Sequence, residues 1–280
     1  MTLTLCMIVR DEERNLPLCL DSVQGLADET VLVDTGSSDA TLRIAADYGA
    51  KLLSFDFSTV DFAAARNYCL ANASGRWILM LDADETPDPP GVLAIRHLIA
   101  QDENAGYYLE RHNRGSDSGN SHTDFVLRLF PNRPSYSFRG RVHETIDASI
   151  LRAGGRLRRT AIRLDHAFAA DPEARQRRNF RYIQILLEEI AADPSDATRL
   201  DFLAAEYHQL GMFHEAGAIA ERIAQIRSGD PRAHLVAGVY HLLYQHNPNR
   251  ARTDFEQALK LRPGDPEAEY FLAQTALTCA

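Results

Sequence analysis

Three carboxylates follow a short apolar run in the first third of the chain. The run is residues 77–81 (WILML), and the acids are Asp82, Asp84 and Glu85. An apolar run of this length that ends in charge predicts a strand buried on both faces. Open α/β sheets bind ligands at the carboxyl ends of such strands, and two carboxylates there suit Mg²⁺ or Mn²⁺. The alternative interpretation is an acidic loop that caps the next helix.

The segments before this run alternate between predicted strands and predicted helices. Strands are expected over 3–9, 30–34 and 51–55, each followed by a helical segment. The order β-α-β-α-β-α-β predicts a parallel, doubly wound sheet whose strand ends converge on one edge. The G-x-G-x-x-G fingerprint is absent after the first strand, which disfavours a dinucleotide-binding fold.

The pattern changes after a predicted helix over about 91–101. Residues 106–111 and 125–130 are aromatic-rich or alternating, as in antiparallel strands, and 156–164 is a basic and apolar strand. The polar span 112–124 predicts a mobile loop beside the site. We therefore expect an α/β domain with a mostly parallel sheet over residues 1–168.

From Asp171 onward the pattern is helical only. Asp-Pro recurs at 171, 193, 230 and 265, and helical pairs lie between the later copies. The spacing is close to the period of about 34 residues of tetratricopeptide (TPR) repeats. We predict an all-α, TPR-like domain over 169–280, with an unrelated helical bundle as the alternative. Residues 266–280 are either a closing helix or the start of a further unit.

Composition excludes several classes of protein. The chain has 280 residues and a formal net charge of −9, so it lacks the basic footprint of a nucleic-acid-binding protein. No apolar run approaches the ~20 residues of a transmembrane helix, and the amino terminus lacks the features of a signal peptide. The cysteines are scattered and predict buried thiols in a reducing cytoplasm. They are Cys6, Cys19, Cys69 and Cys279.

Four motifs in one order carry a family resemblance. They are residues 7–13 (MIVRDEE), 33–41 (VDTGSSDAT), 61–67 (DFAAARN) and 81–85 (LDADE). The amino-terminal half resembles the family 2 glycosyltransferases of GT-A fold, in the branch whose members often carry TPR repeats after the catalytic part. The resemblance is dense to about residue 100 and thinner to about 168. Where many relatives have a second acid after Asp34, this chain has Thr35.

The resemblance implies an inverting transferase that moves a hexosyl or N-acetylhexosaminyl group from a nucleotide sugar, with UDP expected. Mn²⁺ or Mg²⁺ would bind Asp82 and Asp84, and His166 resembles the late histidine that completes the metal shell in many such enzymes. Asn67 is expected to hold structure and not to contact substrate. The implied donor-binding set is Val9, Glu12, Asp34, Arg66 and Asp82.

Inversion at an anomeric carbon needs a base that takes the proton of the acceptor. In relatives this is an acid well after the metal motif. Glu144 is the first candidate here, and the adjacent His143 is the second. Asp124 and Asp147 are less favoured. The alternative for Glu144 is one half of a structural ion pair with a neighbouring arginine.

Two other functions remain open at this stage. One is a TPR scaffold whose first domain binds a nucleotide sugar without turnover; a cleft shared by Glu144 and the carboxylate pair would argue against it. The other is a nucleotidyltransferase, which usually has a basic, glycine-rich loop where this chain has residues 10–13 (RDEE). The acceptor is a protein or peptide held by the repeats, or a saccharide. We expect a cytoplasmic protein, and a peripheral position at the inner membrane face is the alternative.

Overall fold

A computed structural model describes residues 2–101, 104–114, 122–167 and 172–278. The chain divides into two compact units, residues 1–170 and 171–280. The strands of the first unit are β1 (Leu3–Val9), β2 (Glu29–Asp34), β3 (Lys51–Ser54), β4 (Trp77–Met80), β5 (Glu85–Pro87), β6 (Ala105–Arg114), β7 (His122–Pro131) and β8 (Arg156–Ala167). Its helices are α1 (Leu16–Ser22), α2 (Thr41–Asp47), α3 (Phe62–Ala71), α4 (Pro89–Ala100) and α5 (Asp147–Arg152).

All eight strands form one mixed sheet in the order β3-β2-β1-β4-β7-β6-β8-β5. The first four strands along the chain pair in parallel, which confirms the predicted β-α-β-α-β-α-β half. The second half joins it through an antiparallel β4–β7 pair. The short edge strand β5 was not predicted, because three residues beside an acidic turn carry no periodic signal.

The central strands β1 and β4 are buried on both faces, as the apolar run after residue 76 predicts. Leu5 and Leu79 pack in one apolar cluster with helices α1 and α4, and Cys6 and Met80 pack in the other with α3. All four side chains have no exposed surface. This burial fixes the carboxyl end of β4, and therefore the acidic residues that follow it, at the edge of the sheet.

A β-bulge interrupts the pairing of β6 with β7. Tyr107 pairs with Leu129, but Tyr108 pairs with Leu127, so Arg128 is an extra residue on β7. A bulged residue leaves the ladder and its side chain is redirected. The Arg128 side chain reaches the acidic turn after β4, where it binds Asp82.

The predicted loop over 112–124 is shorter than expected. Strand β6 continues to Arg114 and β7 begins at His122, so both ends of that span are paired strand. The polar side chains there bind one another across the hairpin; Asn113 Nδ2 donates to Asp124 Oδ1 at 3.0 Å. The polar residues at both ends of this span were therefore wrongly predicted as loop, because they pair with one another in two strands. The remainder of the predicted loop, residues 115–121, lies outside the described residues.

The second unit contains six described helices. They are α6 (Pro172–Ala192), α7 (Ala197–Gln209), α8 (Phe213–Ile226), α9 (Pro231–Leu243), α10 (Pro248–Leu261) and α11 (Pro266–Thr278). The prolines of three Asp-Pro pairs begin helices α6, α9 and α11, and the Asp230 carboxylate caps α9. The fourth pair, Asp193-Pro194, lies between α6 and α7, and Asp196 caps α7 instead. A Cβ atom at Gly238 would lie 2.5 Å from the Phe255 ring, so α9 and α10 pack closely. The region therefore fits TPR-like repeats.

Two further expectations concern the whole chain. Cys6, Cys19 and Cys69 are buried free thiols, as predicted, whereas Cys279 lies outside the described residues. Within the described ranges, no helix has both the length and the apolar character needed to cross a bilayer.

Candidate functional site

The acidic turn 82–84 lies between β4 and β5, beside the end of β1. The backbone N–H of Leu81 still donates to Cys6, and the N–H of Asp82 donates to Glu85 Oε2 at 3.1 Å. The regular strand thus ends before the acids. As a result, the Asp82 and Asp84 side chains meet different neighbours.

Asp82 lies between two buried arginines. Its Oδ1 accepts from Arg66 Nη2 at 2.9 Å, and its Oδ2 accepts from Arg128 Nη2. Desolvation alone would raise the pKa of Asp82, but Arg128 and Arg66 outweigh it and hold that pKa well below its usual range. The carboxylate is still 36% exposed. It is therefore ionised, fixed in place and open to a ligand on one side.

Arg128 is held from a second direction by Glu85. The Glu85 side chain has no exposed surface, and its Oε1 accepts from Arg128 at 2.6 Å and from Arg111 at 3.4 Å. Burial disfavours the charge of Arg128, but Asp82 and Glu85 outweigh this and raise its pKa. Neither Arg128 nor Arg111 was predicted from the sequence as a site residue.

Arg66 joins the predicted base to the predicted metal motif. Its Nε donates to Glu144 Oε1 at 2.6 Å while its Nη2 binds Asp82. The Arg66 side chain is 7% exposed and that of Glu144 is 13% exposed. Glu144 and the first acid of the motif therefore belong to one cluster, although Glu144 lies 78 positions after Arg66 in the sequence.

The segment that carries Glu144 is fastened to helix α3. The Asn67 side chain donates to Phe138 O at 3.0 Å and accepts from Phe138 N at 2.8 Å, which is the structural role expected of it. Arg141 Nε donates to Val60 O at 3.1 Å just before the helix. His143 has a φ of 49°, a left-handed conformation that is costly for a side chain other than glycine. These contacts hold the segment that carries His143 and Glu144 against helix α3 and the residues just before it.

Asp84 lies in a different environment, which contains imidazole and amide groups. Its Oδ2 is 3.1 Å from His166 Nε2, and His166 Nδ1 is 2.6 Å from Asn113 Oδ1. Because the Asn113 amide nitrogen donates to Asp124, its oxygen must face His166, so Nδ1 carries the proton. In a neutral His166 the Nε2 lone pair then faces a carboxylate oxygen.

This arrangement suits a cation. Either a protonated imidazole or a metal ion reconciles the Nε2 lone pair with the Asp84 oxygen, and an amide that orients a metal-binding histidine is a common second contact. Among the described residues, no three of His, Cys, Asp and Glu form a complete metal-binding group. Mg²⁺ and Mn²⁺ often take only one or two protein carboxylates and complete their shell with substrate phosphates and water. The pair therefore fits a divalent ion that shares its shell with a substrate.

The other expected donor-binding residues lie at the same edge of the sheet. Val9 and Asp34 are register partners on β1 and β2. The Asp34 carboxylate accepts from the N–H groups of Gly36 and Ser37, each at 3.0 Å, and thereby shapes the turn. Thr35 donates to Val9 O through both its N–H and its hydroxyl. The chain thus places a small, backbone-bound hydroxyl where many relatives have an acid.

Glu12 follows strand β1, where its N–H donates to the Thr41 hydroxyl at 2.7 Å and its Oε2 accepts from Asn15 Nδ2 at 2.8 Å. Burial raises its pKa, and the negative charges of Asp84 and Asp82 raise it further, against a hydrogen bond from Asn15 that lowers it.

Asp124 and Asp147, the two less favoured candidates for the base, are both bound by other side chains. Asp124 forms an ion pair with Arg111 at 2.6 Å, and Asp147 accepts from the Tyr108 hydroxyl.

Ion pairs and hydrogen bonds connect ten side chains into one network across the site. In order, they are Glu144, Arg66, Asp82, Arg128, Glu85, Arg111, Asp124, Asn113, His166 and Asp84.

Comparison with known proteins identifies the family. The profile of glycosyl transferase family 2 matches residues 4–163, which is more than half of the chain and includes most of this network. The chain belongs to this family. The resemblance drawn from the four sequence motifs is thereby confirmed.

Two curated relatives each match about half of the chain. A TPR repeat-containing protein of Synechococcus elongatus is 43% identical over 148 residues, which are 53% of this chain and 36% of that protein. The SPbeta prophage-derived glycosyltransferase SunS of Bacillus subtilis is 27% identical over 150 residues, or 51% of this chain and 34% of the relative. The chain thus spans only about a third of the length of these relatives.

A solved structure supports the fold across the whole chain. Residues 1–349 of S. aureus TarS, crystallised with UDP-GlcNAc, align with 100% of this chain and 91% of that structure. The TM-score is 0.50 at 14% identity. Together with the family match, this likeness confirms the expected GT-A-type domain followed by helices.

Proposed function

We propose that this family 2 member is a metal-dependent, inverting glycosyltransferase. It would move a hexosyl or N-acetylhexosaminyl group from a nucleotide sugar, with UDP as the nucleotide, to an acceptor hydroxyl. The observation that carries the proposal is the Arg66 guanidinium, which joins Glu144 to Asp82 in one cleft. A domain that only bound a nucleotide sugar would not need a carboxylate at that position.

The charge of the network supports a divalent cation. Five of its ten side chains are carboxylates and three are guanidiniums, so it is formally acidic before any substrate binds. A diphosphate adds more negative charge to the same cleft. Asp84 and His166 would hold the ion, and Asp82 would contribute the lone pairs that its two arginines leave unused. The bound ion would neutralise the charge of the departing nucleoside diphosphate.

The donor would lie along the edge formed by the ends of β1 and β2. Val9 and Asp34 are neighbours there, and Glu12 follows strand β1. These three residues would surround the nucleoside. Arg66 would meet the diphosphate, because a planar guanidinium matches two phosphate oxygens.

Glu144 would act as the base. The acceptor oxygen attacks the anomeric carbon, the bond from that carbon to the diphosphate breaks, and the acceptor proton passes to the Glu144 carboxylate. Arg66 Nε donates to Glu144 Oε1 at 2.6 Å and so orients this carboxylate before the substrates arrive. His143 is the second candidate for this role.

The acceptor and the location are also part of the proposal. Helical repeats form concave surfaces that bind peptides, so the second unit would help to bind a protein or peptide acceptor, with a saccharide as the alternative. The buried free thiols suit a reducing cytoplasm, where we place the protein.

A donor screen tests the proposal. The full chain is incubated with a panel of nucleotide sugars and Mn²⁺ or Mg²⁺, and the release of nucleoside diphosphate is measured. We expect release from a UDP-sugar that stops when the metal is chelated. Donor binding without any release, with or without candidate acceptors, would support the scaffold function instead.

A further inference from the structure

Arg66 binds two groups that have separate tasks in the proposed mechanism. Nη2 binds Asp82 and Nε binds Glu144. The third nitrogen, Nη1, is buried and has no hydrogen-bond partner among the described residues. Buried polar groups are normally paired, so the unused Nη1 donor leaves this guanidinium with spare capacity to bind an anion.

The contact with Glu144 has a consequence for the base. Arg66 occupies Oε1 of that carboxylate at 2.6 Å, a short, charge-assisted hydrogen bond. The acceptor hydroxyl must therefore compete with Arg66 for Glu144. In the state without substrate, the base is held by a group that the donor also needs.

We propose that Arg66 exchanges partners when the donor binds: its guanidinium releases Glu144 and binds the diphosphate instead. This inference rests on the proposed function and adds a binding order to it. The diphosphate supplies two or more anionic oxygens, which match the planar guanidinium better than one carboxylate oxygen does. Arg66 remains attached through Asp82, and its Cζ lies 5.6 Å from the centre of the Phe138 ring. Glu144 is then free to take a proton only when a donor is present.

The exchange predicts an unusual sign for one substitution. If Glu144 and the diphosphate compete for Arg66, then Glu144→Gln should tighten UDP binding, since the amide holds the guanidinium less strongly. Coupling between sites is typically 5-fold or more, so we expect UDP with Mn²⁺ to bind about 5-fold tighter to Glu144→Gln than to the wild-type chain. The gain should vanish in the Arg66→Lys background, because lysine lacks the planar fork.

Two controls separate this effect from simple electrostatics. Asp124→Asn removes the same charge from another arginine of the network and should tighten UDP binding much less. Uridine, which has no phosphate, should bind the wild-type and Glu144→Gln chains equally; this comparison leaves Arg66 intact and does not depend on whether its variants fold.

Calorimetric dissociation constants for these chains decide the matter. A gain in Glu144→Gln no larger than that in Asp124→Asn would overturn the exchange. A gain that persists in Arg66→Lys, or that uridine shows equally, would overturn it as well. Failure of the wild-type chain to bind UDP at all would instead overturn the proposed donor, so the two proposals fail in different ways.

Discussion

The two acids of the LDADE motif lie two positions apart but in contrasting environments. Asp82 is bound by two buried arginines, which lower its pKa. Asp84 meets one histidine, which an asparagine orients. The arginines surround Asp82 with positive charge, whereas Asp84 faces a ring nitrogen whose lone pair is available in the neutral form.

The difference teaches how one short motif can serve two purposes. Two guanidiniums surround Asp82, and one of them, Arg66, also binds Glu144, so this side of the motif suits an anion such as the proposed diphosphate. The imidazole beside Asp84 suits a cation. Their spacing in the sequence does not distinguish the two acids. The following experiments test whether Asp82 and Asp84 have different roles.

The largest effect is expected on the rate of transfer, when Glu144, which Arg66 joins to Asp82, is changed. Glu144→Gln keeps the size of the side chain but cannot accept the proton, and general-base catalysis typically contributes ~10²–10⁴ in rate. We expect kcat for transfer to fall by that factor, with no loss of donor affinity. Transfer rate and melting temperature should be measured on the same preparation. A stable variant with near-normal transfer would move the role to His143.

The next largest effect is expected on the free energy of unfolding, when an arginine that binds Asp82 is removed. Arg128→Met removes one of the two arginine partners of Asp82 and of the fully buried Glu85. Breaking a buried ion pair typically costs about 3–5 kcal/mol in the free energy of unfolding. Chemical denaturation measures the change. The matched control is Arg159→Met, which removes an arginine that stacks on the partly exposed Phe125. Equal losses in the two variants would show that the ion pairs of Arg128 contribute no more to stability than this exposed contact does.

A smaller effect is expected on the side of Asp84. Asn113→Ala removes the group that orients His166, and such second contacts typically change metal affinity by ~10–100-fold. Mn²⁺ titration in the presence of UDP measures this change. Asn132→Ala is the control, because the Asn132 side chain donates to the backbone carbonyls of Ala73 and Gly75 and not to a residue of the network. If both variants bind Mn²⁺ as the wild type does, then His166 is not part of the cation site.

Much of the fold was predictable, because its signals are local. The strands β1, β2 and β4 are apolar runs buried on both faces, and the acids after them necessarily meet at one edge. After residue 196, Asp-Pro pairs mark the starts of α9 and α11, and the small residue Gly238 marks a close contact between α9 and α10. Each of these features is contained within a few neighbouring residues.

The partners within the site were not predictable in the same way. Arg128 enters the cleft only because a bulge shifts the register between β6 and β7. Asn113 was assigned to a loop, since its polar neighbours hide the fact that they pair across a hairpin. Such contacts depend on strand register, which a single sequence specifies only through the whole sheet. Glu144 and His166 were found through the family resemblance, and the structure adds which groups they contact.

The most direct test of this account compares the two acids themselves. UDP is titrated into the wild-type, Asp82→Asn and Asp84→Asn chains, each with and without Mn²⁺. The account predicts that Mn²⁺ tightens UDP binding in the wild type, that at least part of this gain survives in Asp82→Asn, and that Asp84→Asn loses it. A full Mn²⁺ effect in Asp84→Asn, or its complete loss in Asp82→Asn alone, would contradict the division of the site.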